Sequence, residues 1–137
     1  MRESTYNETL ARSTLLPAAY TATANGTSVD ASTPELSNFR SAMLVVTVGT
    51  VTDGTHVFTL EESDDDAAWD TVASEHLQGS AISVTSANHE DVFELGYTGH
   101  ARYLRATVTV SGSPVTGGVY GAVIAMSGAR RTPIPRS

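Results

Sequence analysis

The stretch Val51–Val72, VTDGTHVFTLEESDDDAAWDTV, decides the fold class of this chain. It begins with Thr52–Thr55, a tetrapeptide typical of a β-hairpin turn. Apolar and polar residues then alternate from His56 to Glu62, which is the period of a half-buried strand. An acidic turn at Asp64–Asp66 follows, and then Trp69, which we expect to pack as an apolar plug beneath that turn. The stretch therefore predicts a strand between two turns, as in a β-sandwich.

Further strand patterns lie on both sides of this stretch. Asn25-Gly26 predicts a type I′ turn between two short strands, because both central residues of that turn need a positive φ. Ser41–Thr50 is rich in β-branched residues and is apolar on both faces, as is Val119–Met126. The other predicted strands are 69–72, 82–84, 91–98 and 101–110.

These elements predict an all-β fold. About eight short strands with a turn every ~8–12 residues are typical of a single β-sandwich, either jelly-roll-like or Ig-like. Residues 1–19 lack alternation, so we predict an extended N-terminal arm there, a β-sandwich domain over 20–127 and an extended C-terminal tail over 128–137. If the arm lies outside the sandwich, residues 1–16 can be deleted without unfolding it.

Composition limits the function classes. The chain has 137 residues, a net charge of −7 and no cysteine, so it forms no disulfides and has no thiolate ligands. The acidic balance argues against a nucleic-acid partner. No run approaches the roughly 18 apolar residues of a membrane span, and the polar N-terminus does not resemble a signal peptide. We therefore expect cytoplasmic synthesis and no membrane partner.

The sequence contains no recognisable catalytic pattern, so we predict that the protein is not an enzyme. The four histidines are scattered, and no serine lies in a nucleophile-elbow motif. The carboxylates of residues 61–70 could bind Ca²⁺, but they lack the spacing of a calcium loop. A solvated turn is the alternative. No cofactor or metal is expected.

Two features point to a macromolecular partner. The eight basic residues are all arginine and lie mostly near the chain ends: Arg2, Arg12, Arg130, Arg131 and Arg136. The two-sided apolar runs suggest that one face is covered by an arm or by another subunit. The alternative is that they are central strands whose second face is shielded by loops.

The chain resembles small virion structural proteins of tailed bacteriophages, described as minor capsid or head decoration proteins. The resemblance covers roughly residues 15–128 and lies in these motifs: TATANGTSVD (21–30), SAMLVVTVGT (41–50), the DGTH hairpin with WD-x-V, LQG (77–79), VFELGYTG (92–99), RYLR (102–105) and GVYGAV (118–123). All of these motifs are structural, so the resemblance assigns no functional residue.

The resemblance implies a capsid decoration (cement) protein on the capsid exterior, made in the host cytoplasm. Its partners would be the major capsid protein and itself, as a homo-oligomer for which we expect a trimer. Leu15 and Leu16 would be apolar anchors beside the terminal arginines. The alternatives are another virion component, such as a head–tail connector or tail protein, and a carbohydrate- or receptor-binding module.

Overall fold

Two antiparallel β-sheets pack face to face in a computed structural model of the protein, which describes residues 4–33, 38–130 and 132–134. The prediction of a single β-sandwich is confirmed, with eleven strands in the described part of the chain. The elements are α1 (Thr5–Glu8), β1 (Thr9–Tyr20), β2 (Ala24–Asn25), β3 (Val29–Asp30), β4 (Ser41–Val51), β5 (Thr55–Ser63), β6 (Asp70–Thr71), a 3-10 turn (Ser74–His76), β7 (Leu77–Gln78), β8 (Ile82–Val84), β9 (Val92–Tyr97), β10 (Tyr103–Ser111) and β11 (Gly118–Ser127).

The first sheet has five strands in the order β1-β11-β4-β9-β7. The second has six and is built on the long β10–β5 pair, which runs in register from Tyr103↔Ser63 to Ser111↔Thr55. The short strands β2 and β3 both pair with β10, while β6 and β8 both pair with β5. The long strands β11, β4, β10 and β5 therefore form the centre of the sandwich.

Burial alternates along these strands because successive side chains point to opposite faces of a sheet. On β11 the residues Tyr120, Ala122, Ile124 and Met126 are buried between the sheets, and their neighbours in the sequence face outward. Leu44, Val46 and Val48 of β4 and Phe58 and Leu60 of β5 contribute to the same core.

The expected arm over residues 1–19 is wrong for residues 9–19. These residues belong to β1, which pairs with β11 from Thr9↔Ser127 to Tyr20↔Gly118. The register shifts twice, between Ser13 and Leu15 and between Leu15 and Ala18. Such bulges interrupt the two-residue period, and this explains why the strand is hard to recognise in the sequence.

The predicted hairpin at Asn25-Gly26 is also wrong. Here β2 and β3 lie one after the other along β10 and do not pair with each other. Neither Asn25 nor Gly26 has a positive φ. The backbone N–H of Gly26 donates to Ala106 O at 2.7 Å, and the next residue, Thr27, donates to Thr14 O at 2.6 Å. Gly26 therefore lies where strands of the two sheets come close together.

The turn at Asp53-Gly54 connects the two sheets, since β4 and β5 belong to different ones. Gly54 has the positive φ, 82°, that a tight turn needs. The Asp53 carboxylate accepts the backbone N–H groups of Val115 and Gly117 at 2.8 and 2.5 Å, and these bonds lower the pKa of Asp53. The crossover is thereby tied to the loop before β11.

The C-terminal tail folds back onto the start of the chain. Ile134 is only 5% exposed, and its N–H donates to Asn7 O at 3.0 Å. Because Thr9 also pairs with Ser127, both ends of the described chain meet at one corner of the sandwich.

A buried aromatic cluster connects the sheets near the Asp53 turn. The Nδ1 atom of His56 lies 2.8 Å from the Tyr120 hydroxyl, and its Nε2 atom lies 3.1 Å from Asp53 O. A carbonyl can only accept, so Nε2 carries the proton and Nδ1 accepts from the hydroxyl. Burial raises the pKa of Tyr120, which keeps this hydroxyl protonated as the donor.

Replacing Tyr120 with Phe should remove the hydroxyl that donates a hydrogen bond to His56 Nδ1. His56 is fully buried, so its ring nitrogen would lose its partner out of reach of water. We expect a loss of about 1–3 kcal/mol in the free energy of unfolding, measured by urea denaturation. The matched control is Tyr20→Phe, because the Tyr20 ring stacks on Tyr120 while its hydroxyl bonds Leu16 O at an exposed position. Equal losses in the two variants would contradict this account of His56.

Candidate functional site

The outer face of the five-stranded sheet is the main candidate for an interaction site. Its side chains alternate with the buried ones: Met43, Val45 and Thr47 on β4 pair across to Ala125, Val123 and Gly121 on β11. We call this surface the apolar face; its members are Ala11, Ser13, Met43, Val45, Thr47, Gly49, Val92, Glu94, Val119, Gly121, Val123 and Ala125.

Several large side chains of the apolar face remain in contact with solvent. The exposed fractions of Met43, Val119 and Val92 are 37%, 48% and 53%. A continuous apolar surface on a sheet is typical of an interaction site, whereas isolated exposed apolar residues are common. Glu94 is the only charged member of the face. The predicted two-sided apolarity of β4 and β11 therefore corresponds to one buried face and one apolar face.

A shallow depression of about 340 Å³ lies within the apolar face. It forms because Gly49 and Gly121 have no side chains there, while Val119 and Val123 form part of its walls. Pro17 packs directly against Gly121, where an added Cβ would lie 3.0 Å from the proline Cγ. Residues 9–20 extend the sheet sideways as β1, and Pro17 of this strand covers the face at Gly121.

In the acidic loop after β5, the Asp65 carboxylate forms hydrogen bonds within the loop itself. Asp65 accepts the N–H groups of Ala68 and Ala67, each at 3.0 Å, and these bonds lower the pKa of Asp65. Glu61 forms an ion pair with Arg105. Over residues 4–33, 38–130 and 132–134, no group of three His, Asp or Glu side chains is placed to hold a metal ion. The carboxylates of Asp65 and Glu61 are therefore already bonded within the protein.

Two further charged contacts support the end of the sandwich near this loop. The Glu62 carboxylate accepts the Tyr97 hydroxyl at 2.6 Å, and burial raises the pKa of Tyr97. Arg102 donates two hydrogen bonds to Asp30, both of 2.9 Å, and lowers the pKa of that carboxyl to about 2. These groups stabilise loops at this end.

Trp69 does not plug the core. It is half-buried near the six-stranded sheet, and the guanidinium carbon of Arg105 lies 4.4 Å from its ring centroid. Because Glu61 binds the same guanidinium, Arg105 is held over one face of the indole. That face is therefore occupied and cannot stack on a sugar ring.

The predicted interface residues differ in their environments. Leu15 is 2% exposed and belongs to the core, so its role as a surface anchor is wrong, whereas Leu16 is 66% exposed. Arg12 and Arg130 are exposed near the corner where the chain ends meet. Three further residues of the predicted set lie outside the described residues: Arg2, Arg131 and Arg136.

The structure adds one arginine that the sequence prediction missed. Arg40 is exposed, and its backbone N–H donates to Ser127 O at 3.1 Å, which places it beside the end of β11. Its position directly before the Ser41 strand was the available signal. We call Arg12, Arg40 and Arg130 the basic corner. It consists of the arginines in the described chain that have no carboxylate ion pair, since Arg102 and Arg105 pair with Asp30 and Glu61.

Comparison with known proteins gives no relative: no family model, curated protein or solved structure matches the chain. Among the described residues, no helix is long and apolar enough to cross a membrane.

Proposed function

We propose that this protein is a structural component of a tailed-bacteriophage virion, a capsid decoration protein that binds the exterior of the major capsid shell and stabilises the head. The observation that carries the proposal is that both ends of the described chain meet at one corner of a β-sandwich, near the exposed Arg12 and Arg130. The resemblance of the sequence motifs to minor capsid and decoration proteins points to the same class. This function needs surfaces and requires no catalytic group.

The basic corner is the proposed contact with the shell. Arg12, Arg40 and Arg130 are exposed, and none of them forms an ion pair with another residue that the structure describes, so we take them as available to carboxylates of a partner. A single exposed ion pair contributes only about 0–1 kcal/mol. Several such contacts formed together by one copy or by one oligomer are linked, so that their combined affinity exceeds that of a single ion pair.

The remaining surface suits a protein that faces solvent on a particle. The net charge is −7, and the residues of the acidic loop at 64, 65 and 66 are exposed. Excess charge of one sign keeps particles apart. In this arrangement the basic corner faces the shell, and the acidic loop is in contact with solvent.

Another virion role remains as an alternative, because a connector or tail component can use the same module. Quantitative mass spectrometry of purified virions distinguishes the two. Hundreds of copies per particle support decoration, whereas about six or twelve copies, as in one ring, support a connector or tail part. A carbohydrate-binding role has less support, since Arg105 covers one face of Trp69.

We expect charge reversal at the basic corner to abolish binding to shells that lack this protein. The test variant combines Arg12→Glu, Arg40→Glu and Arg130→Glu, and binding is measured by co-sedimentation at several salt concentrations. The control combines Arg→Lys changes at the same positions, which keep the charge and should keep most of the binding. Circular dichroism confirms that both variants are folded. Wild-type binding by the reversed variant would overturn the proposed contact.

A further inference from the structure

We infer that the apolar face is the interface between two copies of this chain, packed sheet against sheet about a twofold axis. This inference does not depend on the proposed function, and it uses a surface separate from the basic corner. A face-to-face pair of sheets at a spacing of about 10 Å is the ordinary geometry of a β-sandwich core. The dimer would therefore repeat, between molecules, the packing that each molecule already has inside.

The size of the apolar face suits a stable dimer. About nine residues of β11 at ~3.3 Å each, across four strands at ~4.8 Å, give roughly 600 Å² per copy. Two copies would bury roughly 1,200 Å² in total, which is the lower end of the range for specific protein interfaces.

The shape of the face is complementary to itself. Val119 and Met43 protrude with exposed side chains, while the depression at Gly49 and Gly121 provides about 340 Å³ of space. Twofold symmetry brings the same patch of both subunits together, so each copy must supply both protrusions and a recess. Along β11 the outward residues alternate in size as Val119, Gly121, Val123 and Ala125.

The charge distribution favours this face for self-association. Two copies carry seven excess negative charges each, so most mutual orientations bring carboxylates together. On the apolar face the only charged residue is Glu94 of β9, which pairs with Val45 of β4. Two copies can therefore approach through this surface with little repulsion between like charges.

The edge of the same sheet is unsuited to pairing with a second copy. At the edge, β1 carries Arg12 at a position that pairs with buried Ile124, so the strand bears a charge on its inward side. It also contains Pro17, which lacks an N–H, and two register shifts. Inward charges, proline and bulges are the features that block edge-to-edge association. Pairing of two copies through the β1 edge is therefore disfavoured.

Sedimentation equilibrium of the purified full chain, without capsid, tests the inference. At about 100 μM protein, a hundred times a micromolar Kd, we expect twice the mass of one 14.4 kDa chain. Val123→Glu places an unpaired carboxylate in the middle of the face in both copies. We expect the dissociation constant to rise by more than about 100-fold, so that at least half of the chains are monomeric at the same protein concentration.

Two companion variants make the outcome decisive. Thr109→Glu adds the same charge at an exposed position of β10 in the other sheet and should remain dimeric. Met43→Glu is a second substitution in the apolar face, in case Val123→Glu fails to fold, which circular dichroism reports. A monomeric wild type, or a dimer or trimer that persists in the folded face variants, would overturn the inference. Neither result bears on shell binding, which the arginine variants test separately.

Discussion

Leu15→Ala should lower the free energy of unfolding by about 3 kcal/mol, whereas Leu16→Ala should change it by less than about 0.5 kcal/mol. The two leucines are adjacent, but Leu15 is 2% exposed and Leu16 is 66% exposed. Truncating Leu15 leaves a cavity between β1 and the rest of the core, because neighbouring strands cannot collapse into it completely. Truncating Leu16 removes atoms that already contact water.

Urea denaturation of both variants provides the measurement. Leu16→Ala is the control for Leu15→Ala, since the same side chain is shortened at neighbouring positions of one strand. If residues 9–19 formed an arm outside the sandwich, both substitutions would leave the stability unchanged. Equal and small effects would therefore contradict the assignment of β1 to the sheet.

Gly26→Ala should lower the free energy of unfolding by about 2–3 kcal/mol, nearly as much as Leu15→Ala. A Cβ at this position would lie 2.5 Å from Thr14 Oγ1, 2.6 Å from Thr14 O and 2.8 Å from Ala106 O. These atoms cannot move aside freely, because the Ala106 N–H donates to Thr14 Oγ1 and that hydroxyl donates to Thr27 O. The extra methyl group would separate β1 from β10.

Asn25→Thr is the matched control for Gly26→Ala. In a type I′ turn Asn25 would need a positive φ, which a β-branched residue adopts only with strain. In the structure Asn25 is an exposed strand residue paired with Thr107, where threonine fits well. We expect the free energy of unfolding, measured by urea denaturation, to change by no more than about 0.5 kcal/mol. A loss as large as that of Gly26→Ala would restore the hairpin interpretation.

The sequence predicts the central strands well because period-two alternation is a direct result of burial on one face. The predicted strand at 82–84 matches β8, and the predicted run at 41–50 corresponds to β4. Turn signals were less reliable. Asn25-Gly26 resembles a hairpin turn, but glycine is equally suited to a position with no room for a Cβ. Sequence alone does not distinguish a need for a positive φ from a need for space.

The candidate sites were predictable to different degrees. The two-sided apolarity of β4 and β11 left open whether the second face is covered by an arm or another subunit or is shielded by loops. The structure places Val45 and Val123 side by side on an outer face. Local patterns could not show that Trp69 packs against Arg105, because that contact joins residues far apart in the chain. The same applies to the basic corner, which exists only because β1 and β11 are neighbours in space.

The proximity of the two ends of the described chain also determines how the molecule would respond to mechanical force. Thr9 pairs with Ser127, and Asn7 bonds to Ile134, so tension between the ends acts across neighbouring antiparallel strands. Hydrogen bonds between antiparallel strands run perpendicular to the strands. A force that separates the start of β1 from the end of β11 would therefore break these bonds one after another. The sandwich would unzip from this corner under low tension, and attachment of both ends to a single rigid support would remove that weakness.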